Sequence, residues 1–95
     1  MYVFSLFYSN SILEDSDEQD LLEQIKKLIK EDKVLKKSIH LICIDNNYVR
    51  DYMKTNLIYY WPIFVVKRPD QCPMTYDIKY YKQILDEAKQ VYFSF

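Results

Sequence analysis

The chain has 95 residues, 49% hydrophobic and 28% charged, and its formal net charge is -1. That length suits a single domain and is too short for two, and the balance is that of a packed core under a solvated surface. With 13 basic and 14 acidic side chains, no overall attraction to nucleic acid or an anionic membrane is expected.

Glycine is absent and tyrosine occurs ten times. An average chain of this length carries roughly six or seven glycines. Turns are therefore expected to use Asn, Asp, Ser or Pro, and glycine-rich phosphate loops and dinucleotide fingerprints are excluded. AT-rich coding accounts for the bias without invoking chemistry. Cys43 and Cys72 lie far apart with no CxxC, and His40 is the single histidine. A Cys/His zinc set cannot be assembled from these residues, so neither a metal nor a cofactor is expected. The apolar start MYVFSLFYSN lacks a basic flank and is far too short to cross a bilayer. It reads as a strand, and with no leader expected, the thiols should be reduced in a cytosolic setting and the chain not secreted.

In chain order, Tyr2 to Ser9 is aromatic and branched on both faces, the pattern of a buried strand over Val3–Tyr8. Asn10 to Ser16 is a polar break. Ser16 and Gln19 match a capping box, with Asp17, Glu18 and Asp20 in a first turn that favours acids. Leu21, Leu22, Ile25, Leu28 and Ile29 recur at helical spacing and predict a helix to about Glu31. Lys33 to Lys37 reads as a basic connector. Ser38 to Asp45 (SIHLICID) is apolar on both faces and predicts a central parallel strand over Ile39–Ile44. Asn46 and Asn47 suit a helix cap, and Val49, Tyr52 and Met53 predict a short helix ending near Asn56.

Trp61-Pro62 precedes Ile63–Val66, the third strand, with Pro at the first position because it cannot donate to a ladder. Arg68-Pro69-Asp70 is a turn, and Cys72 to Tyr76 reads as a short edge strand. Asp77 caps a last helix over Ile78–Gln90, with Ile78, Tyr81, Leu85, Ala88 and Tyr92 on one stripe. The order β-α-β-α-β-β-α predicts an α/β protein with a mixed four-stranded sheet flanked by helices.

That order, with Phe7-Tyr8-Ser9-Asn10 closing strand one, Ile39 to Asp45 as strand two and Trp61-Pro62-Ile63-Phe64-Val65-Val66, resembles the thioredoxin fold. Trp61-Pro62 is similar to the cis-proline segment of thioredoxins and glutaredoxins, and an aromatic residue before Pro raises the cis fraction. The FYSN and IHLICID wording resembles the small thioredoxin-like proteins of nucleocytoplasmic large DNA viruses. Active members of the fold carry a nucleophilic Cys after strand one, with its partner three residues on. Here the segment reads Ser9-Asn10-Ser11-Ile12-Leu13-Glu14-Asp15. Thiol exchange needs a thiolate, so this departure argues against redox catalysis.

Cys43 is expected to be a buried small hydrophobe, and Cys72 the more exposed thiol. His40 and Cys43 should face opposite ways from their strand, which argues against a Cys–His pair. Helix capping explains Glu14, Asp15, Asp17 and Glu18 better than a cation site does. Tyr59, Tyr60 and Trp61 form an aromatic cluster that suits core packing or an interface. The resemblance implies that Trp61 borders the groove beside Pro62. Phe93 and Phe95 close an apolar tail, VYFSF, that would want a partner if exposed.

The sequence thus predicts a non-catalytic thioredoxin-like structural or interaction protein. Its expected contact residues are Ser9, Asn10, Ser11, Ile12, Tyr59, Tyr60, Trp61, Pro62, Phe93 and Phe95. The viral resemblance implies a minor capsid or virion component, with other proteins such as capsid proteins as partners, in the virion or host cytoplasm. The alternatives are a divergent thiol oxidoreductase using Cys72 and an adaptor that pairs peptides along the sheet edge.

Overall fold

Six residues, Val3–Tyr8, form strand β1, and its backbone is shared by two neighbours in the computed structural model, which describes residues 1–94. On one side β1 pairs in parallel with β2 (Ile39–Cys43), Leu6 opposite Leu41 and Tyr8 opposite Cys43. On the other it pairs antiparallel with β3 (Ile63–Lys67), Leu6 opposite Phe64 and Phe7 opposite Ile63. β4 (Met74–Asp77) extends β3, so the sheet order is β2-β1-β3-β4.

The helices are α1 (Ser16–Glu31), α2 (Lys33–Ser38), α3 (Asn47–Thr55) and α4 (Tyr81–Ser94), the last entered through a 3₁₀ turn at Ile78–Tyr80. Alternation along β1 divides the interior. Phe4 and Leu6 face a large core with Leu22, Ile25 and Ile29 of α1 and Ile84, Leu85 and Ala88 of α4. Phe7 faces a smaller core with Ile44, Ile63, Met53 of α3 and Ile58. Burying each of these large side chains contributes roughly 1.5–3 kcal/mol.

Five expectations are corrected. β2 is parallel as expected, but it is an edge strand. Its apolar faces reflect helices packed on both sides of the sheet, and cover on the faces is independent of how many strands flank the edges. The basic connector is helix α2, because Asp32 both ends one helix and starts the next. Its N–H donates to the Leu28 carbonyl (3.2 Å), and its carboxylate accepts from the Val34 and Leu35 N–H groups (2.9 and 3.1 Å). Lys89 of α4 pairs with the same carboxylate at 2.8 Å, and this bond comes first among the causes holding Asp32 below its ordinary acidity range.

The cap of α1 is Asp15, one residue before the expected Ser16, with its carboxylate accepting from the Asp17 and Glu18 N–H groups. Gln19 instead accepts from the Leu13 N–H (3.0 Å). At the other end of the chain, α4 runs on to Ser94, so most of the VYFSF tail is helix. The fourth strand is shifted to Met74–Asp77, which leaves Cys72 and the donor-less Pro73 outside the ladder. Trp61-Pro62 is cis.

Glycine's absence is felt most at Leu57, whose φ is 58°. Asn56 closes α3, and beyond it the Leu57 N–H donates to the Lys54 carbonyl (3.2 Å) and the Ile58 N–H to the Met53 carbonyl (2.8 Å). That is the Schellman arrangement, with buried Ile58 in the Met53 core cluster and Leu where Gly is usual. The left-handed conformation costs an L-residue about 1–2 kcal/mol. The turn chemistry expected of Asn, Asp, Ser or Pro is therefore supplied here by a leucine. Leu57 is 71% exposed, so its side chain offsets little of the cost. Leu57→Gly is expected to raise unfolding stability by about 1 kcal/mol in denaturant titration, and Leu57→Ala to leave it unchanged. Equal responses of the two variants would show that the backbone is not strained.

Candidate functional site

β1 and β2 run in parallel and finish side by side, and β3 begins opposite the last residues of β1. Three irregular segments therefore leave the same end of the sheet: Ser9–Ile12, Ile44–Asn46 and Tyr59–Pro62. Two of these were expected contact segments, and the topology brings them together. Ile12 is 85% exposed and Trp61 45%, with Tyr59, Tyr60, Asn10 and Ser11 also exposed. Pro62 and Ser9 are buried and serve as supports.

The loop after β1 is held by one carboxylate. Ser9 Oγ donates to Asp45 Oδ1 (2.8 Å) and the Asn10 N–H donates to Asp45 Oδ2 (3.1 Å). The Ser11 N–H in turn donates to Ser9 Oγ (3.1 Å). The Ser9 hydroxyl is the first cause holding Asp45 below its ordinary value, followed by the Asn10 amide, while partial burial acts the other way. The Cys43 thiol and the Arg50 charge add smaller contributions. Arg50 is anchored where it can do so, since its Nε donates to the Ile44 carbonyl (3.0 Å). The last residue of β1, Tyr8, lies under the Lys26 ammonium of α1, 4.5 Å from its ring centroid.

Cys43 was expected to be buried. It is partly exposed, and its sulfur accepts from Asn10 Nδ2 at 3.4 Å. Sequence reasoning missed both Cys43 and Asp45 as members of this end. The available signal was the parallel pairing itself, which places the end of strand two beside the end of strand one. Cys72 is exposed as expected. It sits in the loop between the antiparallel strands β3 and β4, at the opposite end of the sheet from Cys43, and both cysteines are free. His40 is paired with Ser5 and Cys43 with Tyr8, on alternate faces, as the strand period requires.

Phe93 is 72% exposed but belongs to the C-terminal part of α4. Residues of that part line a cleft with Tyr2, at the start of β1, so Phe93 does not join the Ser9–Trp61 surface. Phe95 lies outside the described residues. Among the described residues no cluster of three His, Cys, Asp or Glu side chains is placed to hold a metal ion. No helix among them is long and apolar enough to cross a membrane.

A crystal structure of the J-Trx1 fragment of ERdj5 superposes on 88% of this chain with a TM-score of 0.54 and 15% sequence identity. The fold is thioredoxin-like. The chain spans only 41% of that fragment's length, and at this identity the likeness concerns the fold alone. No protein-family model matches the chain, and no curated protein matches it.

The lowered pKa of Asp45 fixes a direction. The folded state releases this proton more readily than the unfolded chain, so the contribution is full above the ordinary value of 3.8 and is lost as pH falls through the lower, folded one. Asp45→Asn removes one acceptor and presents an amide to a donor. The melting temperature of the variant is expected to lie below that of the parent at neutral pH, with the gap narrowing as pH falls below 3.8 and Asp45 becomes protonated, since the protonated acid resembles the amide. A gap that does not change with pH would refute this role for Asp45.

Proposed function

We propose that this chain is a non-catalytic thioredoxin-like module that docks a protein partner on the end of the sheet formed by Ser9–Ile12 and Tyr59–Pro62. One observation carries the reading: Ile12, Tyr59, Tyr60 and Trp61 are large, apolar and exposed at the place where three paired strands, two of them buried, hold the backbone rigidly. Aromatic anchors on a rigid frame lose little conformational freedom on binding, which favours them at interfaces. The chemistry supports the same choice. Ser9 and Asn10 stand where active members place a thiolate, Ser9 is engaged with Asp45, and Cys43 has no second thiol at its end of the sheet.

The finer part of the proposal is a minor capsid or virion role in a large DNA virus, in the particle or the host cytoplasm, with capsid proteins as partners. It is supported by the FYSN and IHLICID wording alone. The alternative is a thiol oxidoreductase using Cys72, which would act at the far end of the sheet from this surface, where that thiol is free and exposed. The outer edge of β2, which carries no fifth strand, favours a second mode in which a partner peptide adds to the sheet. That mode would slow amide exchange at Leu41 and Cys43 in the complex, and the end-on mode would not.

Co-purification from the native particle or cell tests the main reading. Trp61→Ala is expected to weaken partner association by about tenfold, the scale of an interface anchor. The Cys43→Ser, Cys72→Ala double variant should associate normally, and the parent should not reduce insulin disulfides. Insulin reduction by the parent, or a cysteine-free variant that folds yet loses its partner, would defeat the proposal.

A further inference from the structure

At the opposite end from the docking surface, a cleft of about 590 Å³ opens between the first residues of β1, the α2–β2 junction and the C-terminal half of α4. Its volume falls within the range of small-molecule sites. The floor is apolar: Phe4 and Ala88 are buried core residues, and Tyr2 stacks on Phe4 with ring centroids 6.2 Å apart at 7°. The wall from the α2–β2 junction is polar and consists of Lys37, Ser38 and His40, with Tyr92 across from it.

One feature of that wall is unexplained by folding. Ser38 Oγ is buried and has no hydrogen-bond partner among the described residues, and a buried hydroxyl is ordinarily paired. Lys37 is exposed beside it and, like most of the chain's lysines, makes no ion pair among the described residues, so its charge is available to a ligand. Among the described residues no side-chain carboxylate lines the cleft, so Lys37, Ser38, His40 and Tyr92 border it with no acidic side chain beside them. We propose that this cleft binds a small organic anion, a carboxylate or phosphate monoester on an aromatic body. The head group would accept from Ser38 Oγ and Lys37 Nζ, and the ring would lie over Phe4 and Ala88. The site is separate from the docking surface and does not depend on it.

Nitrogen-15 NMR titration of the full chain provides the test, with phenyl phosphate, benzoate, inorganic phosphate and benzyl alcohol as probes. Phenyl phosphate or benzoate should give saturable shifts confined to the amides of Ser38, His40, Val91 and their neighbours, and the tighter of the two identifies the head group. Inorganic phosphate and benzyl alcohol, each lacking one half of the recognised molecule, should bind at least about tenfold more weakly. Lys37→Met, a change at an exposed side chain that should not disturb folding, is expected to weaken the preferred probe by about tenfold. Ser38→Ala should weaken it too while leaving the spectrum folded. The proposal fails if neither anion saturates at millimolar concentration, if benzyl alcohol binds as well as the anions, or if Lys37→Met leaves the affinity unchanged.

Discussion

Strand β1 is the constraint on which the rest of the structure depends. It is the only strand among those described that satisfies both edges with its neighbours in both senses, parallel to β2 and antiparallel to β3. Its alternating side chains also seed both cores, Phe4 and Leu6 on the α1–α4 side and Phe7 on the α3 side. A one-residue slip of β1 would send Leu6 and Phe7 to the wrong layers at once, so its register is tightly specified. The position of the surface loops follows from that register. Because β1 and β2 end together and β3 starts there, three loops must emerge side by side.

Glycine's absence shapes the joints between elements. Asp15, Asp32, Asn46 and Asp77 each stand at the start of a helix and accept backbone N–H groups with their side chains. Side-chain capping of this kind replaces much of what a glycine-rich chain achieves through backbone freedom. Asp32 does most, joining α1 to α2 and both to Lys89 of α4. A second cross-tie fastens the β3–β4 corner to α4. Arg68 donates to both carboxylate oxygens of Glu87 (2.8 and 2.7 Å) and to the Tyr76 hydroxyl (2.9 Å). These contacts raise the Arg68 pKa, Glu87 being the first cause. Two-point geometry of this type holds a planar guanidinium in place where a lysine would not.

The end of the sheet bearing Ser9 and Trp61 is stiff below and apolar above. Asp45 draws together the loop after β1 and the end of β2 through Ser9 and Asn10. Trp61 and the two tyrosines before it stand on the entry to buried β3. A rigid base with exposed aromatics suits recognition of another protein. The same base carries a single thiol, Cys43, bonded to Asn10 rather than facing a second sulfur. The cleft beside α4 has the opposite character, with polar donors around an apolar floor.

Much of this architecture is legible in the residues themselves. The aromatic and branched run at Val3–Tyr8, the helical spacing from Leu21 to Ile29 and the IFVV run after Pro62 determine their elements locally, because each buries a face whose period the sequence displays. The exposed aromatics at Tyr59–Trp61 were visible as a cluster, though whether they packed inside was not. What only the tertiary structure decided concerns neighbours distant in the chain. SIHLICID is apolar on both faces whether its strand is central or at an edge, since helices cover faces and strands cover edges. Asp45 is 36 residues from Ser9, and no local pattern marks the pairing that makes it the anchor of the loop. Phe93 shows the same limit from the other side: its apolar character is local, but its distance from the Ser9–Trp61 surface follows from the direction in which α4 crosses the sheet.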